Sequence, residues 1–206
     1  MSVEVKLCGM TTPEDIGLVN RLRPEYAGFV LFFPKSRRNL GLAKAVELKA
    51  QLHGVKAVAV TVSPTPEQAE DICSAGFDYI QIHGELYEET YSKCTIPIIR
   101  AFNDFQIGEL ARCDRLENVT AYLFDAAEPG SGKIFDWDKL AKLPRGGRRL
   151  FLAGGLTPEN VAHAIATVRP DCVDVSSGIE RPEGGKDAAK AEEFVKNARS
   201  VTEVQI

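Results

Sequence analysis

Two side chains that can move protons stand at the ends of apolar runs in this 206-residue sequence. Cys8 closes the run Val3–Cys8, and Asp125 directly follows Tyr122–Phe124. A thiol becomes a base or nucleophile when a neighbour such as Lys6 lowers its pKa from about 8.5. A partly buried carboxyl group with a raised pKa can act as a general acid. An isolated cysteine is more often a small buried apolar group, and an aspartate at a strand end is often a cap or turn residue, so both alternatives stay open.

Small residues follow two apolar runs near the end of the chain. They are Gly154 and Gly155 in the first loop, and Ser176, Ser177 and Gly178 in the second. Such residues let main-chain N–H groups approach an anion, and barrels often bind phosphate in the loops after strands seven and eight. The pattern favours a phosphorylated small molecule over simple tight turns. Asp174, which faces inward by strand alternation, is either a substrate contact or a structural hydrogen-bonding group.

A third glycine-rich stretch, Gly130–Lys133, follows the sixth apolar run. It is not a Walker loop, because Ala127 stands where that pattern requires glycine and Ile134 replaces the serine or threonine. A nucleotide triphosphatase is therefore disfavoured. The stretch is either a mobile loop that folds over a ligand or a plain connection.

Strand and helix signals alternate along the whole chain. Eight short apolar runs predict parallel strands buried on both faces. They are Val3–Cys8, Tyr26–Phe32, Val55–Val62, Tyr79–Ile82, Ile96–Phe102, Val119–Phe124, Arg149–Ala153 and Cys172–Val175. Thr-Pro-Glu sequences that begin at Thr12, Thr65 and Thr157 predict helix starts, with a capping hydroxyl before proline. Apolar spacing predicts further helix faces at Val161–Val168 and Ala191–Ala198.

The count of strands favours a closed barrel over an open sheet. Eight units of about 25 residues fit a single α/β domain over residues 1–206, a (β/α)8 TIM barrel near the lower size limit. An open dinucleotide-binding sheet would carry G-x-G-x-x-G after its first strand. Here the first strand ends Cys8-Gly9-Met10-Thr11, without that loop.

Composition excludes several classes of protein. A net charge of −4 and a pI near 5.5 disfavour nucleic-acid partners. The longest apolar runs, such as Ala27–Phe33, are too short to span a membrane, and the first residues lack an export signal, so we expect a cytoplasmic protein. Five scattered cysteines and three dispersed histidines give no disulfide framework and no metal motif. Apart from Cys8, the cysteines are interpreted as structural.

Motifs at most strand ends occur together, and in order, in one known family. They are Lys6–Thr11, Gly28–Val30, Ser36–Arg38, Gln81–Gly84, Phe124–Asp125, Gly130–Trp137, Leu152–Leu156 and Val173–Glu180. With this set the chain resembles phosphoribosylanthranilate isomerase, an enzyme family of tryptophan biosynthesis, over essentially its whole length. Each motif alone is weak evidence, whereas the ordered set is highly specific.

The resemblance implies a (β/α)8 barrel and a cofactor-free Amadori rearrangement. The substrate is N-(5-phosphoribosyl)anthranilate and the product 1-(o-carboxyphenylamino)-1-deoxyribulose 5-phosphate. Asp125 matches the acid that protonates the ring oxygen, and Cys8 matches the base that removes the C2′ proton. Arg38 matches an arginine near the anthranilate carboxylate, and Arg37 stands where proline is more usual, so the two arginines can share that pairing. Asp174 matches a polar active-site position.

The same resemblance assigns the phosphate site to the two loops of small residues. Its members are Gly154, Gly155, Ser176, Ser177 and Gly178. We expect a phosphorylated small molecule as substrate, no metal or cofactor, no nucleic-acid or membrane partner, and a monomer or homodimer.

Three other functions fit parts of the pattern. The related isomerase of histidine biosynthesis performs the same rearrangement, but its family has an aspartate as the strand-one base and needs two phosphate sites. A metal-dependent pentose-phosphate epimerase is disfavoured because matched His and Asp ligands are lacking. A non-catalytic phosphate-binding barrel would keep the glycine loops but would not need both Cys8 and Asp125.

Overall fold

The computed structural model describes residues 3–102, 107–125, 140 and 146–201, and in it eight parallel strands form a closed ring. The strands are β1 (Glu4–Cys8), β2 (Tyr26–Leu31), β3 (Lys56–Val62), β4 (Tyr79–His83), β5 (Ile98–Phe102), β6 (Val119–Asp125), β7 (Arg149–Ala153) and β8 (Cys172–Val175). Each strand pairs with the next, and β1 closes the ring because Lys6 pairs with Tyr26 on one side and Asp174 on the other. The predicted barrel is confirmed.

Helices connect the strands on the outside of the ring. Those described are α1 (Pro13–Leu22), α2 (Leu42–Lys49), α3 (Pro66–Ser74), α4 (Glu88–Lys93), α5 (Ile107–Cys113), α6 (Val161–Val168) and α7 (Ala188–Ser200). A 3-10 turn, Ser177–Ile179, follows β8. A two-residue strand, Asn39–Leu40, extends β2 outside the ring by pairing with Val30 and Leu31.

Two of the three predicted Thr-Pro helix starts are confirmed. Thr12 and Thr65 are N-caps of α1 and α3, and each forms a reciprocal capping box with the residue three positions later. The prediction at Thr157 is wrong, since α6 begins at Val161 after Asn160. There the Asn160 side chain accepts the Thr157 N–H at 2.8 Å, and this local hydrogen bond forms a turn before the helix.

Strand alternation divides the apolar side chains between two cores. Inward residues of β3, β5, β6 and β7 fill the barrel, while outward ones pack against the helices. The apolar faces predicted for α6 and α7 are buried in the outer core. Burial of this kind supplies most of the free energy that holds a barrel together, at about 25 cal/mol per Å² of apolar surface. Near the carboxyl end, polar side chains reach the interior from β1, β4, β6 and β8.

The amino end of the barrel is closed by an aromatic and ionic cluster. The Tyr26 ring packs edge-on against Tyr79 and lies 5.3 Å from the Phe151 ring, centroid to centroid. Arg149 donates to Tyr26 Oη at 2.7 Å and pairs with Glu4 at 2.6 Å. A ligand must therefore enter from the opposite end, where the strand carboxyl termini lie.

No helix among the described residues combines the length and apolar character needed to cross a membrane.

Candidate active site

The inner face of β1 places a cation beside the candidate base. Lys6 and Cys8 are two residues apart and therefore face the same side of the strand. The Lys6 side chain is fully buried, and its Nζ lies 2.9 Å from Asp174 Oδ2 on β8. Gly28 on the adjacent β2 leaves the space these groups occupy, because a Cβ there would lie 2.7 Å from Cys8 Sγ and 3.2 Å from Lys6 Nζ.

Burial and charge act in opposite directions on the Cys8 thiol. Burial raises the pKa of Cys8, and the ammonium groups of Lys6 and Lys186 offset part of that rise, while Asp174 adds to it. Burial also disfavours the charged form of Lys6, but Asp174 and Cys8 hold the pKa of Lys6 above its usual value. Lys6 is thus a permanent cation next to the thiol, as the sequence suggested, and it favours the thiolate form.

Asp174 faces the interior, as alternation predicted, and one of its oxygens is available to a ligand. The residue is 7% exposed, and Oδ2 accepts the Lys6 ammonium. Within the described ranges, Oδ1 has no hydrogen-bond partner. A buried carboxylate oxygen without a donor costs free energy, so a substrate hydroxyl or N–H would gain by binding there.

Asp125 ends β6 on the inner face, in line with the interior positions Ala121 and Leu123. It is half-buried and pairs in register with Ala153, the last residue of β7. The structure therefore brings Asp125 to the same end of the barrel as Cys8, as predicted. A carboxyl group at this position can reach a ligand held in the barrel mouth.

Arg38 lies across the residue that follows Cys8. A Cβ on Gly9 would lie 2.5 Å from Arg38 Cδ and 3.1 Å from Ser176 Oγ, and Gly9 has φ +80°. Arg38 is fixed by Glu180, which accepts Nε at 2.6 Å and Nη2 at 2.9 Å. Arg37 also donates to Glu180, so the two arginines share one carboxylate.

Lys186 completes an ionic cluster in which it, Arg37 and Arg38 all donate to Glu180. Its Nζ donates to Glu180 Oε1 at 2.9 Å and to the Ser176 carbonyl at 3.2 Å. Burial disfavours ionised Glu180, but hydrogen bonds from Arg38 and Lys186 outweigh it and lower the pKa of Glu180 to about 2. The cluster holds three cations and one anion, and it therefore favours a second anion nearby.

The two predicted phosphate loops come into direct contact. Gly154 and Gly155 have φ of +85° and +62°, in the region that favours glycine. A Cβ on Gly178 would lie 2.0 Å from the Leu156 carbonyl oxygen, so only glycine permits this approach. Ser176 Oγ donates to the Cys8 carbonyl at 3.1 Å, which ties the second loop to β1. The 3-10 turn that starts at Ser177 leaves its first N–H groups without partners inside the turn, as at any helix start.

Two further polar side chains line the interior from β4. Gln81 Nε2 and His83 Nε2 lie 2.8 Å apart. Gln81 is 2% exposed, and its Oε1 has no partner in the part of the chain described. Both fall within the Gln81–Gly84 motif, yet neither was proposed as a site residue from sequence.

The remaining sequence candidates lie outside the cluster. The predicted glycine-rich loop Gly130–Lys133 and the motif that continues to Trp137 fall outside the described residues. Cys73, Cys94, Cys113 and Cys172 are free thiols away from β1's end. Among the residues described, no group of three His, Cys, Asp or Glu side chains could hold a metal ion.

Comparison with known proteins assigns this chain to a family. A sequence model for N-(5'-phosphoribosyl)anthranilate (PRA) isomerase matches residues 5–197. The chain belongs to the PRA isomerase family. Its relatives are enzymes of tryptophan biosynthesis, and the resemblance seen in the strand-end motifs is confirmed.

Individual PRA isomerases match over nearly their whole length. The protein from Aquifex aeolicus is 37% identical, with 96% of this chain and 99% of the relative covered. That from Acetivibrio thermocellus is 38% identical, with 95% of each covered. The crystal structure of the Thermotoga maritima PRA isomerase superposes with a TM-score of 0.85 at 36% identity, and covers 97% of this chain and all of the other. A further PRA isomerase structure, at 34% identity and TM-score 0.82, is a complex with reduced 1-(o-carboxyphenylamino)-1-deoxyribulose 5-phosphate.

Three further residues that contact the candidate site were not singled out from sequence. Glu180 holds Arg38, and Lys186 in turn holds Glu180. Asp15 fixes the loop after β1 by accepting the main-chain N–H groups of Thr11 and Thr12. Asp15 also accepts the Lys186 N–H at 3.3 Å. Glu180 ends the Val173–Glu180 motif and Asp15 lies three residues after the capping Thr12, but their partners are distant in sequence and no local pattern indicates them.

Proposed function

We propose that this chain catalyses the Amadori rearrangement of N-(5-phosphoribosyl)anthranilate to 1-(o-carboxyphenylamino)-1-deoxyribulose 5-phosphate, with Asp125 as acid and Cys8 as base. The observation that carries the proposal is a thiol beside a buried ammonium at one strand end of a PRA isomerase barrel. A carboxyl group ends β6 at the same mouth. These are the two proton-transfer groups that the reaction requires.

Asp125 serves the first step, which opens the sugar ring. Its carboxyl group gives a proton to the furanose oxygen while the nitrogen lone pair forms the C1′=N bond and the C1′–O bond breaks. The products are a protonated imine and a C4′ hydroxyl group. A half-buried carboxyl group at the end of β6, at the mouth that a ligand enters, is placed to reach the ring oxygen.

Cys8 serves the second step, which moves a proton along the sugar. Its thiolate removes the C2′ proton, and the electron pair flows into C1′=C2′ while the imine nitrogen becomes neutral. The resulting enolamine tautomerises, because C1′ gains a proton and the C2′ hydroxyl loses one to become the ketone. The imine accepts the electrons, so atoms and electrons balance without a redox partner. Lys6 favours the thiolate that starts this step.

The other predicted site residues bind the two ends of the substrate. Arg38 would pair with the anthranilate carboxylate, within a cluster that carries excess positive charge. Asp174 Oδ1 would accept a sugar hydroxyl or the anilino N–H. The main-chain N–H groups near Gly155 and in the turn Ser177–Gly178 would hold the 5-phosphate, as helix starts at such loops do in other barrels.

Turnover of phosphoribosylanthranilate tests the proposal directly. Purified protein should consume it, seen as loss of anthranilate-type fluorescence, at the same rate in EDTA as without it. Absence of turnover by folded protein would overturn the assignment. Turnover of the histidine-pathway aminoaldose at a higher kcat/KM would support the rival isomerase instead, and phosphate binding without either reaction would support a non-catalytic barrel.

Three accompanying expectations stay predictions. We expect one catalytic domain over residues 1–206, a monomer or homodimer, and a cytoplasmic location. One structural neighbour is described as a monomer derived from a dimeric PRA isomerase of Thermotoga maritima, so both oligomeric states occur with this fold. Sedimentation analysis of the purified protein distinguishes them.

A further inference from the structure

The carboxylate of Glu180 collects the basic side chains at one side of the barrel mouth. Its side chain is 6% exposed and accepts hydrogen bonds from Arg37, Arg38 and Lys186. Lys186 is itself buried, and two further hydrogen bonds anchor it. Its main-chain N–H donates to Asp15 Oδ1, and its Nζ donates to the Ser176 carbonyl. Glu180 is therefore fixed on a rigid base, and the arginines are fixed on Glu180.

The pairing of Arg38 with Glu180 leaves one guanidinium nitrogen, Nη1, available to a ligand. Glu180 takes Nε and Nη2 in a side-on, two-bond arrangement, which is the strongest geometry for such a pair. Across the described ranges, Nη1 of Arg38 has no hydrogen-bond acceptor, and the Arg38 side chain is 25% exposed. The stem of Arg38 passes over Gly9, where no larger residue would fit. One edge of the guanidinium thus donates both of its hydrogen bonds to Glu180, and Nη1 on the other side can donate to a ligand.

We propose that Glu180 is a positioning residue for this reaction, which holds Arg38 across Gly9 so that Nη1 is available to the aryl carboxylate of the substrate. This rests on the proposed function. Glu180 touches no reacting atom, and it acts only through Arg38. Lys186 keeps Glu180 in place by occupying the other side of Oε1, so the carboxylate cannot follow a moving arginine.

The charge of the cluster supports a role for Glu180 in holding Arg38 and for Arg38 in binding the substrate carboxylate. With Glu180, the cluster has one anion for three cations, and a substrate carboxylate would reduce the remaining excess. Without Glu180, three cations would repel one another, and the half-exposed Arg37 and the partly exposed Arg38 would turn toward water. The same carboxylate therefore both restrains Arg38 and leaves the cluster attractive to an anion.

A chemical probe tests the positioning without any substrate. Phenylglyoxal modifies accessible arginines, and peptide mapping by mass spectrometry reports each residue separately. Glu180→Gln should raise the modification rate of Arg38 severalfold while Arg21, in an exposed pair with Glu192, keeps its rate. The matched control Glu192→Gln should leave the Arg38 rate unchanged. An Arg38 rate that does not respond to Glu180→Gln, in protein with an unchanged circular dichroism spectrum, overturns the proposal.

Kinetics with two substrates test the consequence. Glu180→Gln should lower kcat/KM for phosphoribosylanthranilate about 10- to 100-fold, mainly through KM, as expected when a charged hydrogen-bonding group is released. The phosphoribosyl derivative of aniline, which lacks the carboxylate, should lose little. Arg38→Met should reproduce this selective loss, and the double variant Glu180→Gln/Arg38→Met should add nothing further.

The outcomes separate the proposal from the function on which it rests. If the unsubstituted protein has no turnover but Arg38 becomes reactive in Glu180→Gln, the assigned reaction is wrong and the positioning is right. If Glu180→Gln lowers kcat/KM equally for both substrates, Glu180 has a general structural role and the proposal fails.

Discussion

Lys6 Nζ and Asp174 Oδ2 lie 2.9 Å apart across the line where β1 meets β8. Both side chains are buried. Lys6 lies two residues before Cys8 on β1, and Asp174 lies two residues before Ser176, which follows β8. Removal of two charges from water is costly, and only good geometry compensates for it. The pair therefore holds a charged center inside the barrel in a fixed position, next to the thiol.

The buried pair should dominate the stability effects of substitutions in the site. Lys6→Met leaves the Asp174 carboxylate buried without its partner, and we expect the free energy of unfolding to fall by about 3–5 kcal/mol. The double variant Lys6→Met/Asp174→Asn removes both charges and should lose much less than the two single variants together. Urea titration followed by circular dichroism measures all four proteins. Strict additivity of the two substitutions would show that the pair is not coupled.

Lys6 should also set the reactivity of Cys8. In Lys6→Met the thiol loses its nearest cation, its pKa rises further, and the thiolate fraction at pH 8 falls about tenfold for each unit of that rise. Alkylation by iodoacetamide, mapped by peptide mass spectrometry, measures the rate at Cys8. The partly exposed Cys73 gives an internal reference in the same sample. Equal Cys8 rates with and without Lys6 would show that another group controls the thiol.

Removal of either proton-transfer group should impair turnover rather than folding. We expect Cys8→Ala and Asp125→Asn each to lower kcat by about 10²-fold or more, as general acid–base roles require. Stopped assays at saturating phosphoribosylanthranilate measure kcat, and Cys73→Ala is the matched cysteine control, with kcat unchanged. If Cys8→Ala retained near-normal kcat, the base would have to be another group in the mouth.

Glu180 should make the protein sensitive to acid. Its pKa is about 2 when folded, against an ordinary value of 4.5. Because the folded value is the lower one, this carboxylate stabilises the fold above pH 4.5, by about 3 kcal/mol from linkage. That contribution is lost as the pH falls from 4.5 to 2. The stability difference between the native sequence and Glu180→Gln, from urea titrations at pH 7, 4 and 3, should therefore shrink with acid. A constant difference would contradict the ionic role of Glu180.

Substitution of a crowded glycine, with an uncrowded glycine as the control, tests the contact between the phosphate loops. Gly178→Ala places a Cβ 2.0 Å from the Leu156 carbonyl oxygen, and forcing the loops apart should cost about 1–3 kcal/mol of stability and weaken binding of inorganic phosphate. Gly17 lies in α1 with no atom near its Cβ position, so Gly17→Ala should stabilise the protein by up to about 1 kcal/mol. Calorimetry with phosphate and thermal unfolding measure both. Unchanged phosphate affinity in Gly178→Ala would place the phosphate elsewhere.

Local physics explains why the ring and its principal residues could be predicted from sequence. Apolar runs buried on both faces, such as β7, have few alternatives to a parallel strand, and the runs at Arg149–Ala153 and Cys172–Val175 match the structure at both ends. Cys8 and Asp125 could be placed because strand ends in a barrel meet at one mouth. The run predicted at Ile96–Phe102 starts two residues too early, since β5 begins at Ile98, directly after Pro97, which cannot donate a hydrogen bond to a neighbouring strand.

Long-range partners could not be predicted, because no periodicity encodes them. Glu180 meets Arg38 across 142 positions, and only the closed ring brings the loop after β2 beside the loop after β8. The helix start predicted at Thr157 is wrong for a similar reason. Its sequence matches that at Thr12, but the Asn160 side chain accepts the Thr157 N–H and forms a turn there instead. In both cases the competing hydrogen bond depends on three-dimensional context.

The closure of the ring by β1 also fixes when the site can exist. Lys6 and Asp174 are 168 positions apart, and Asp15 and Lys186 are 171 apart. Contacts of such separation form late, after the cost of closing a long loop has been met. During synthesis, Cys8 and Lys6 leave the ribosome long before Asp174 and Lys186, the other charged groups that act on the thiol. The recovery of turnover in a refolding experiment should thus lag behind the recovery of helical signal, and it reports the docking of the final βα unit.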